Sequence, residues 1–283
     1  MAARVTVTAR QERLGKELRR LRERAGMSLR DAARAAGVNE GKLSSMESGR
    51  VATSADRVRL LVGQYACEDT ALVNALVAMT GERVRGWWET HRRMLPQDFL
   101  DLAELEHHAA YLRSFESVHI PGLLQTEEHV RAIYSSSAAR LPSDQLEARV
   151  RFRLARHTVL AREEPFCYEV VIHEAALRVR VANREASQRQ LLHIVKQSER
   201  PRVSVRVVPF DVDGFTRIGN PMLLAGGSVP TLDTVLLDTA HGARYMDAEA
   251  QLARYRQVIN DVEGAALDPV ESRNFIHRLA KNT

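Results

Sequence analysis

The feature that most constrains this chain is a pair of short helical segments between Ser28 and Gly49, separated by a glycine turn. Ser28 has the position of a helix N-cap, and an acid, Asp31, follows at the capping-box spacing. Gly37-Val38-Asn39 then supplies a glycine that tolerates positive φ and a second capping residue. The alanines of the first segment are small enough to let another helix approach closely. The second segment runs from about Glu40 and stops at Gly49.

Further helices are predicted on both sides of this pair. Apolar residues recur at helical spacing from Gln11 to Ala25. The string Thr53-Ser54-Ala55-Asp56 reads as another capping box that opens a fourth helix. A fifth helix is predicted over Ala71–Met79. Residues 1–80 are therefore expected to form an all-α domain of five helices.

Two short helices joined by a three-residue turn with glycine form a helix-turn-helix, whose second helix enters the major groove of DNA. The charge distribution supports this function. Residues 1–60 carry 14 Lys and Arg against seven Asp and Glu, whereas the remaining residues carry 27 against 29. A basic N-terminal module ahead of a nearly neutral region indicates that double-stranded DNA is a partner of the first part.

The string Ser28–Arg50 resembles the repressor-type (XRE) helix-turn-helix family, and the resemblance extends over residues 10–66. It implies that exposed positions of the third helix read bases, and that Arg22 and Glu47 form a structural ion pair. By chemistry, Glu40 can accept from cytosine, Asn39 can pair with adenine, and Lys42 can donate to guanine or phosphate. The predicted base-reading residues are Asn39, Glu40, Lys42, Ser44 and Ser45. The predicted phosphate anchors are Arg10, Arg13, Arg30 and Arg50.

Three of these assignments have simpler alternatives. Asn39 can act solely as a helix cap, Glu40 as a solvated acid in the first turn, and Lys42 as an ordinary surface charge.

The rest of the chain is predicted to be a mixed α/β domain, so the fold class is α+β overall. Residues 81–97 form a junction that contains Trp87 and Trp88, and residues 98–283 form the second domain. A long amphipathic helix is expected over Ser143–Arg162, and a last helix begins at Asp268. A further helix is expected near Gln188–Ser198, and strands are expected over Phe166–Ile172, Val203–Phe210, Met222–Ala225 and Thr234–Asp238.

Several strings of this second domain resemble one actinobacterial family, the Scr1-type or WhiJ-like regulators. They include Ile120–Glu127, Arg151–Arg156, His173–Arg178 and Asp268–Ser272. The resemblance implies transcriptional control, often with a small, separately encoded partner protein.

No catalytic motif emerges from the sequence, so we expect the protein not to be an enzyme and to use no cofactor or metal. His173-Glu174 begins like a zinc-protease helix, but Leu177 stands where the second histidine ligand is needed. Gly226-Gly227-Ser228 is better read as a hairpin turn than as a phosphate-binding loop. No apolar run approaches the ~18 residues that span a bilayer. We therefore expect a cytoplasmic protein, bound to the nucleoid when it binds DNA, with no membrane contact.

Two functional hypotheses follow. In the first, the protein is a sequence-specific DNA-binding regulator whose C-terminal domain dimerises and senses a protein partner or small-molecule effector. A homodimer is expected because one helix-turn-helix reads too few base pairs to mark a site in a genome. In the alternative, it is an antitoxin-like protein that sequesters a small partner, with weak or no DNA binding. Two residues would allow this alternative: Leu29, which stands where the family usually has Gln, and Gly41.

Overall fold

The computed structural model describes residues 7–80, 86–136, 141–162, 166–216, 221–239 and 241–283. They divide into two compact units, and the fold is α+β, as predicted. The first unit comprises Met1–Arg92 with Pro96–Leu105, and the second comprises Arg93–Leu95 with Glu106–Thr283. Residues 86–92, which the sequence assigned to a junction, thus belong to the first unit, while residues 81–85 of that junction lie outside the described residues.

The described part of the first unit is helical. Its elements are α1 (Ala9–Arg24), α2 (Leu29–Ala35), α3 (Glu40–Glu47), α4 (Ala55–Gln64), α5 (Thr70–Thr80), a 3₁₀ helix (Trp87–His91) and the first part of α6 (Gln97–His108).

Local capping chemistry sets the ends of these helices. The Ser28 hydroxyl accepts from the backbone N–H of Asp31 at 3.1 Å, as expected for the start of α2. Gly37 and Gly49 follow α2 and α3 with φ of +64° and +70°, a conformation that favours glycine. The start of α4 differs from the prediction, because Ser54 rather than Thr53 is the N-cap. Its hydroxyl accepts from the N–H of Arg57, whereas Thr53 is buried.

Apolar side chains from α1 to α5 form the core of the first unit. They include Leu14, Leu18, Leu21, Ala32, Ala33, Leu43, Met46, Val58, Leu61, Val62, Tyr65, Leu72 and Leu76. The recognition-type helix α3 is therefore held by packing on one side only, and its other side is available to solvent.

The second unit is built on a six-stranded mixed sheet. The strands are β1 (Tyr111–Glu116), β2 (Cys167–His173), β3 (Val203–Val208), β4 (Met222–Gly226), β5 (Thr234–Thr239) and β6 (Gly242–Met246), in the order β3-β2-β1-β4-β5-β6. The pairs β1–β2 and β2–β3 are parallel, whereas β1–β4, β4–β5 and β5–β6 are antiparallel. Gly226 accordingly ends β4, and Gly227-Ser228 begins the connection from β4 to its antiparallel neighbour β5.

Helices cover this sheet. They are the end of α6, then α7 (Glu127–Ser135), α8 (Ser143–Ala155), α9 (Glu174–Arg178), α10 (Arg184–Gln197), α11 (Glu249–Gly264) and α12 (Pro269–Asn282). One face packs on α11, where Phe115, Val235 and Ile259 belong to a single buried cluster. None of the described helices combines the length and apolarity that crossing a membrane requires.

Several features of the second unit differ from the sequence prediction. The helix expected over Ser143–Arg162 ends at Ala155 and continues as a 3₁₀ helix, Arg156–Ala161. The strand expected to reach Phe210 ends at Val208, and the Phe210 side chain is 59% exposed. The elements α9, α11 and β6 were not predicted.

Candidate nucleic-acid interface

The exposed side of α3 carries the polar groups that were predicted to read bases. Glu40, Gly41 and Lys42 are exposed in its first turn, and Ser44 is half-buried. The side-chain polar groups of Glu40, Lys42 and Ser44 form no hydrogen bond with any other described residue. A carboxylate, an ammonium and a hydroxyl on one helix offer both acceptors and donors to base edges.

Two of the predicted base readers are already engaged within the protein. Asn39 is the N-cap of α3, and its Oδ1 accepts from the backbone N–H of Lys42 at 2.7 Å. Ser45 is half-buried, and its hydroxyl donates to the carbonyl of Gly41 at 2.8 Å. Since a bidentate contact to adenine uses both the oxygen and the NH₂ group of the Asn side chain, the cap competes with that contact for the Asn39 oxygen.

A buried ion pair fixes the inner side of α3 to α1. Arg22 Nε donates to Glu47 Oε1 at 2.7 Å, and Nη2 donates to Oε2 at 3.0 Å. Both side chains are less than 10% exposed, and the third nitrogen of Arg22 donates to the carbonyl of Met27. The hydrogen bonds to Glu47 raise the pKa of Arg22 above its ordinary value. This is the ion pair that the family resemblance implied.

The backbones of α1 and α3 also touch directly at Gly15. A Cβ atom placed on Gly15 would lie 2.6 Å from the carbonyl oxygen of Glu47 and 2.7 Å from that of Met46. A side chain at this position of α1 would therefore push α3 away. The sequence did not single out Gly15, because a helical glycine carries no sign of what it contacts.

Two of the predicted phosphate anchors are accessible. Arg30 is exposed in the first turn of α2. Arg50 is exposed just beyond α3, and its Nε donates to the Ser48 hydroxyl at 2.8 Å, which leaves its other nitrogens available. Both side chains are exposed as a phosphate contact requires, and the contact itself stays a prediction.

Arg13 does not keep that role. Its side chain is only 6% exposed, and Nη1 donates to Glu17 Oε2 at 3.0 Å within α1. A guanidinium enclosed in this way cannot reach a DNA phosphate, so the predicted contact is wrong. Helical periodicity in α1 separates apolar from polar positions, but it does not show which polar positions are covered by neighbouring helices.

Arg10 is also engaged within the first unit. It is half-buried, and its Nη2 donates to the carbonyl of Ala78 at 3.1 Å, near the end of α5. Burial lowers the pKa of Arg10, and the nearby Glu104 carboxylate opposes that shift. The side chain thus stabilises the carboxyl end of α5, where a cation is favourable, and would have to leave these contacts to bind phosphate.

Two further polar residues, which the sequence did not reveal, fix α2. Arg57 Nη1 donates to the carbonyl of Ala36 at 2.5 Å, and Gln64 Nε2 donates to that of Ala35 at 2.7 Å. Both residues lie on α4, and both satisfy carbonyls at the end of α2 that the helix leaves free. The turn between α2 and α3 is therefore held in place by side chains from α4.

Residues 99–278 match the family described as Domain of unknown function (DUF5753). The chain belongs to this family. Residues 13–76 match a family described as Helix-turn-helix domain, and this segment contains α2 and α3. Searches of curated proteins and of solved structures gave no match to the chain. The N-terminal part of this DUF5753 protein is thus a helix-turn-helix DNA-binding domain, and the protein is a DNA-binding regulator with DNA as a partner.

Three histidines of the DUF5753 domain, His107, His108 and His173, make contacts within the protein. His173 is buried at the N-cap of α9, where its Nδ1 accepts from the backbone N–H of Ala175 at 3.2 Å. The rings of His107 and His108 meet edge to face, with centroids 5.0 Å apart. Within the described ranges, no group of three or more His, Cys, Asp or Glu side chains is arranged to hold a metal ion.

Proposed function

We propose that this DUF5753 protein is a sequence-specific transcriptional regulator that binds a two-fold symmetric DNA site as a homodimer. The observation that carries the proposal is the contrast between the two sides of α3. Its inner side is fixed by the Arg22–Glu47 pair, while Glu40, Lys42 and Ser44 have no side-chain hydrogen bond within the described chain. A rigid helix with free donors and acceptors can read bases without first breaking contacts of its own.

The proposed contacts divide into two kinds. Glu40 selects the base pair by accepting from the N4 amino group of cytosine, and Lys42 contacts guanine or the neighbouring phosphate. Ser44 lies on the same exposed side, whereas Asn39 and Ser45 act first as intrahelical hydrogen-bonding residues. Arg30 and Arg50 hold the phosphate backbone and so set the position of α3 in the groove.

The proposal assigns dimerisation and sensing to the DUF5753 domain. A dimer places two copies of α3 about one helical turn apart, which explains why a short recognition helix suffices. A small partner protein or small-molecule effector that binds more tightly to the dimer at one spacing of the two α3 helices shifts the population toward that spacing. It thereby changes the affinity of the protein for DNA. The proposal also includes membership of the WhiJ-like regulators and action on chromosomal DNA in the cytoplasm. It includes no catalytic step.

Binding selection from randomised duplexes tests the DNA-reading part. The full-length protein is expected to enrich a palindromic sequence. Glu40→Ala should change the preferred base at one position of each half-site, whereas Lys42→Ala, if it contacts phosphate, should weaken binding equally on all sequences. Glu68→Ala removes an exposed acid outside α3 and serves as the matched control. No enrichment by the native protein would contradict the proposal and favour an antitoxin-like role.

Light scattering on the full-length protein tests dimerisation separately. A mass of twice 31.8 kDa at micromolar concentration is expected. A monomer under these conditions, with or without the selected duplex, would refute the symmetric-dimer part of the proposal. The claim that α3 reads bases would then depend on the binding selection alone.

A further inference from the structure

Gly41 lies in the first turn of α3, at a position where no described residue requires a glycine. It is the second residue of the helix and is flanked by the exposed Glu40 and Lys42. Its backbone does not adopt a positive φ. A Cβ atom placed on Gly41 would meet only the Oδ1 atom of Asn39, at 3.5 Å, which is ordinary contact. Alanine would therefore fit here without strain.

The glycine also makes α3 less stable than alanine would, because glycine loses more conformational freedom on folding. Other glycines of the first unit have a role in the fold that accounts for this cost. Gly15 allows the close approach of two helix backbones, and Gly49 adopts a φ of +70°. Gly41 has neither role, and it stands on the side of α3 that is proposed to face DNA.

The backbone of Gly41 presents a free hydrogen-bond donor at the same point. The N-cap Asn39 satisfies the next two N–H groups of the helix, because its Oδ1 accepts from Lys42 and its carbonyl accepts from Lys42 and Leu43. The N–H of Gly41 has no partner among the described residues, as is usual in a first turn. Its carbonyl accepts from the Ser45 hydroxyl at 2.8 Å. The surface at Gly41 thus consists of one N–H donor beside a bare Cα atom.

This pair of features matches one base better than the other three. The N-terminal residues of a recognition helix contact base edges in the major groove. There, thymine presents one acceptor, O4, beside its C5 methyl group. Adenine and cytosine present an amino group, which would face Gly41 without an acceptor, and guanine presents two acceptors to a single donor. Thymine leaves no polar group unmatched.

We propose that Gly41 is a specificity-determining residue that selects thymine. Its N–H donates to O4, and the C5 methyl group packs against the Cα atom in the space that a side chain would fill. The inference rests on the proposed function of α3 and adds a second selected base to the one that Glu40 reads. The sequence had left Gly41 as a residue that would allow weak DNA binding, whereas the geometry points to the opposite role.

Replacing thymine by deoxyuridine in the DNA tests this contact, because it removes only the C5 methyl group. The full-length native protein first selects its duplex from a randomised pool. A thymine is expected next to the base pair whose preference changes in Glu40→Ala. Fluorescence anisotropy then compares the thymine duplex and the deoxyuridine duplex, each with the native protein and with Gly41→Ala.

The native protein should bind the deoxyuridine duplex about fourfold more weakly for each thymine replaced, which is the effect of one buried CH₂-sized group. Gly41→Ala should bind the thymine duplex about fivefold more weakly than the native protein or worse, as for a mismatched base pair. It should recover most of this loss on the deoxyuridine duplex, where the missing methyl group makes room for the added one. The preference between the two duplexes is therefore reversed in the variant.

Gly63→Ala is the matched control, because Gly63 is an exposed helical glycine outside α3 with no atom within 4 Å of the added methyl group. It should bind both duplexes as the native protein does. In urea unfolding, both variants should be at least as stable as the native protein, since alanine is the better helix former. A destabilised Gly41→Ala would show that the fold itself needs this glycine and would overturn the inference.

Four results of the DNA measurements would also overturn it. They are a selection without the expected thymine, equal binding of both duplexes by the native protein, native affinity of Gly41→Ala for the thymine duplex, and an equal loss by Gly41→Ala on both duplexes. A protein that selects its DNA but gives one of these results keeps the proposed function and loses the assignment of Gly41. A native protein that selects no duplex loses both.

Discussion

Substituting Gly15 by alanine perturbs the contact that positions α3. In most helices this change is favourable, since alanine exceeds glycine in helix propensity by about 1 kcal/mol. Here the added methyl group would lie 2.6 Å from the Glu47 carbonyl oxygen and 2.7 Å from that of Met46. Both atoms belong to the backbone of α3, so a side-chain rotation cannot relieve the contact.

The two effects can be compared in magnitude. Ordinary contact begins at 3.4 Å, so α1 and α3 must separate by about 0.8 Å at this point. Overpacking of this kind costs about 1–3 kcal/mol, and contact with backbone places Gly15→Ala at the upper end. After the gain in propensity is subtracted, we expect a net loss of about 2 kcal/mol in the free energy of unfolding. For a unit of this size, that loss lowers Tm by about 8–16 °C.

Tryptophan fluorescence during urea unfolding measures this change selectively. The chain contains only two tryptophans, Trp87 and Trp88, and both lie in the first unit. Trp88 is buried, so its emission should shift when this unit unfolds. Gly63→Ala is the matched control, because Gly63 lies in α4 with no atom within 4 Å of the added methyl group. This control should be as stable as the native protein or more stable, by up to about 1 kcal/mol.

The reasoning is refuted if Gly15→Ala unfolds at the same urea concentration as Gly63→Ala, or at a higher one. The same variant should also bind its selected duplex more weakly, because α3 is displaced from the surface formed with α2. Unchanged DNA affinity in a destabilised protein would show that the position of α3 is set by other contacts.

Further expected outcomes concern charges. Glu47→Gln leaves the buried guanidinium of Arg22 without its ion-pair partner. It should lower the free energy of unfolding of the first unit, measured in urea, by about 3–5 kcal/mol. Arg50→Ala should lower the slope of log affinity against log salt by about 0.9, with a similar loss on all duplexes, as expected for one phosphate contact. Arg156→Met should destabilise the second unit by about 3–5 kcal/mol, since Glu106 remains buried, and circular dichroism during unfolding measures it. The raised pKa of Glu116 means that the folded state retains a proton which the unfolded chain loses near pH 4.5, so stability should fall as pH rises toward about 8. Glu116→Gln should flatten that fall in unfolding curves recorded across this pH range.

Much of the first unit was predictable because its signals are local. Ser28 and Asn39 cap α2 and α3 through hydrogen bonds to residues three positions ahead, which a sequence pattern records directly. The position of Arg13 was not predictable in the same way. Its burial depends on the helices packed against α1, and the one-dimensional pattern of polar residues does not contain that information.

The second unit shows the same limit. Helix α11 has no side-chain N-cap bond at Ala248, so the sequence carries no capping signal for its start. Only Leu252, Ile259 and Val262 are buried in it, so its apolar pattern is also weak. Strand β6, Gly242–Met246, lies at the sheet edge and has no β-branched residue, which leaves its strand signal weak.

The most direct test of α3 as the DNA-reading element is the ratio of two affinities at one salt concentration. Fluorescence anisotropy would compare the selected duplex with a shuffled duplex of the same composition, using native protein and Glu40→Ala. We expect the native protein to prefer the selected duplex by about 10³-fold or more, and Glu40→Ala to lose about 1–3 kcal/mol of that preference with little change on the shuffled duplex. Equal affinity of the native protein for both duplexes, or an undiminished preference in Glu40→Ala, would contradict the account.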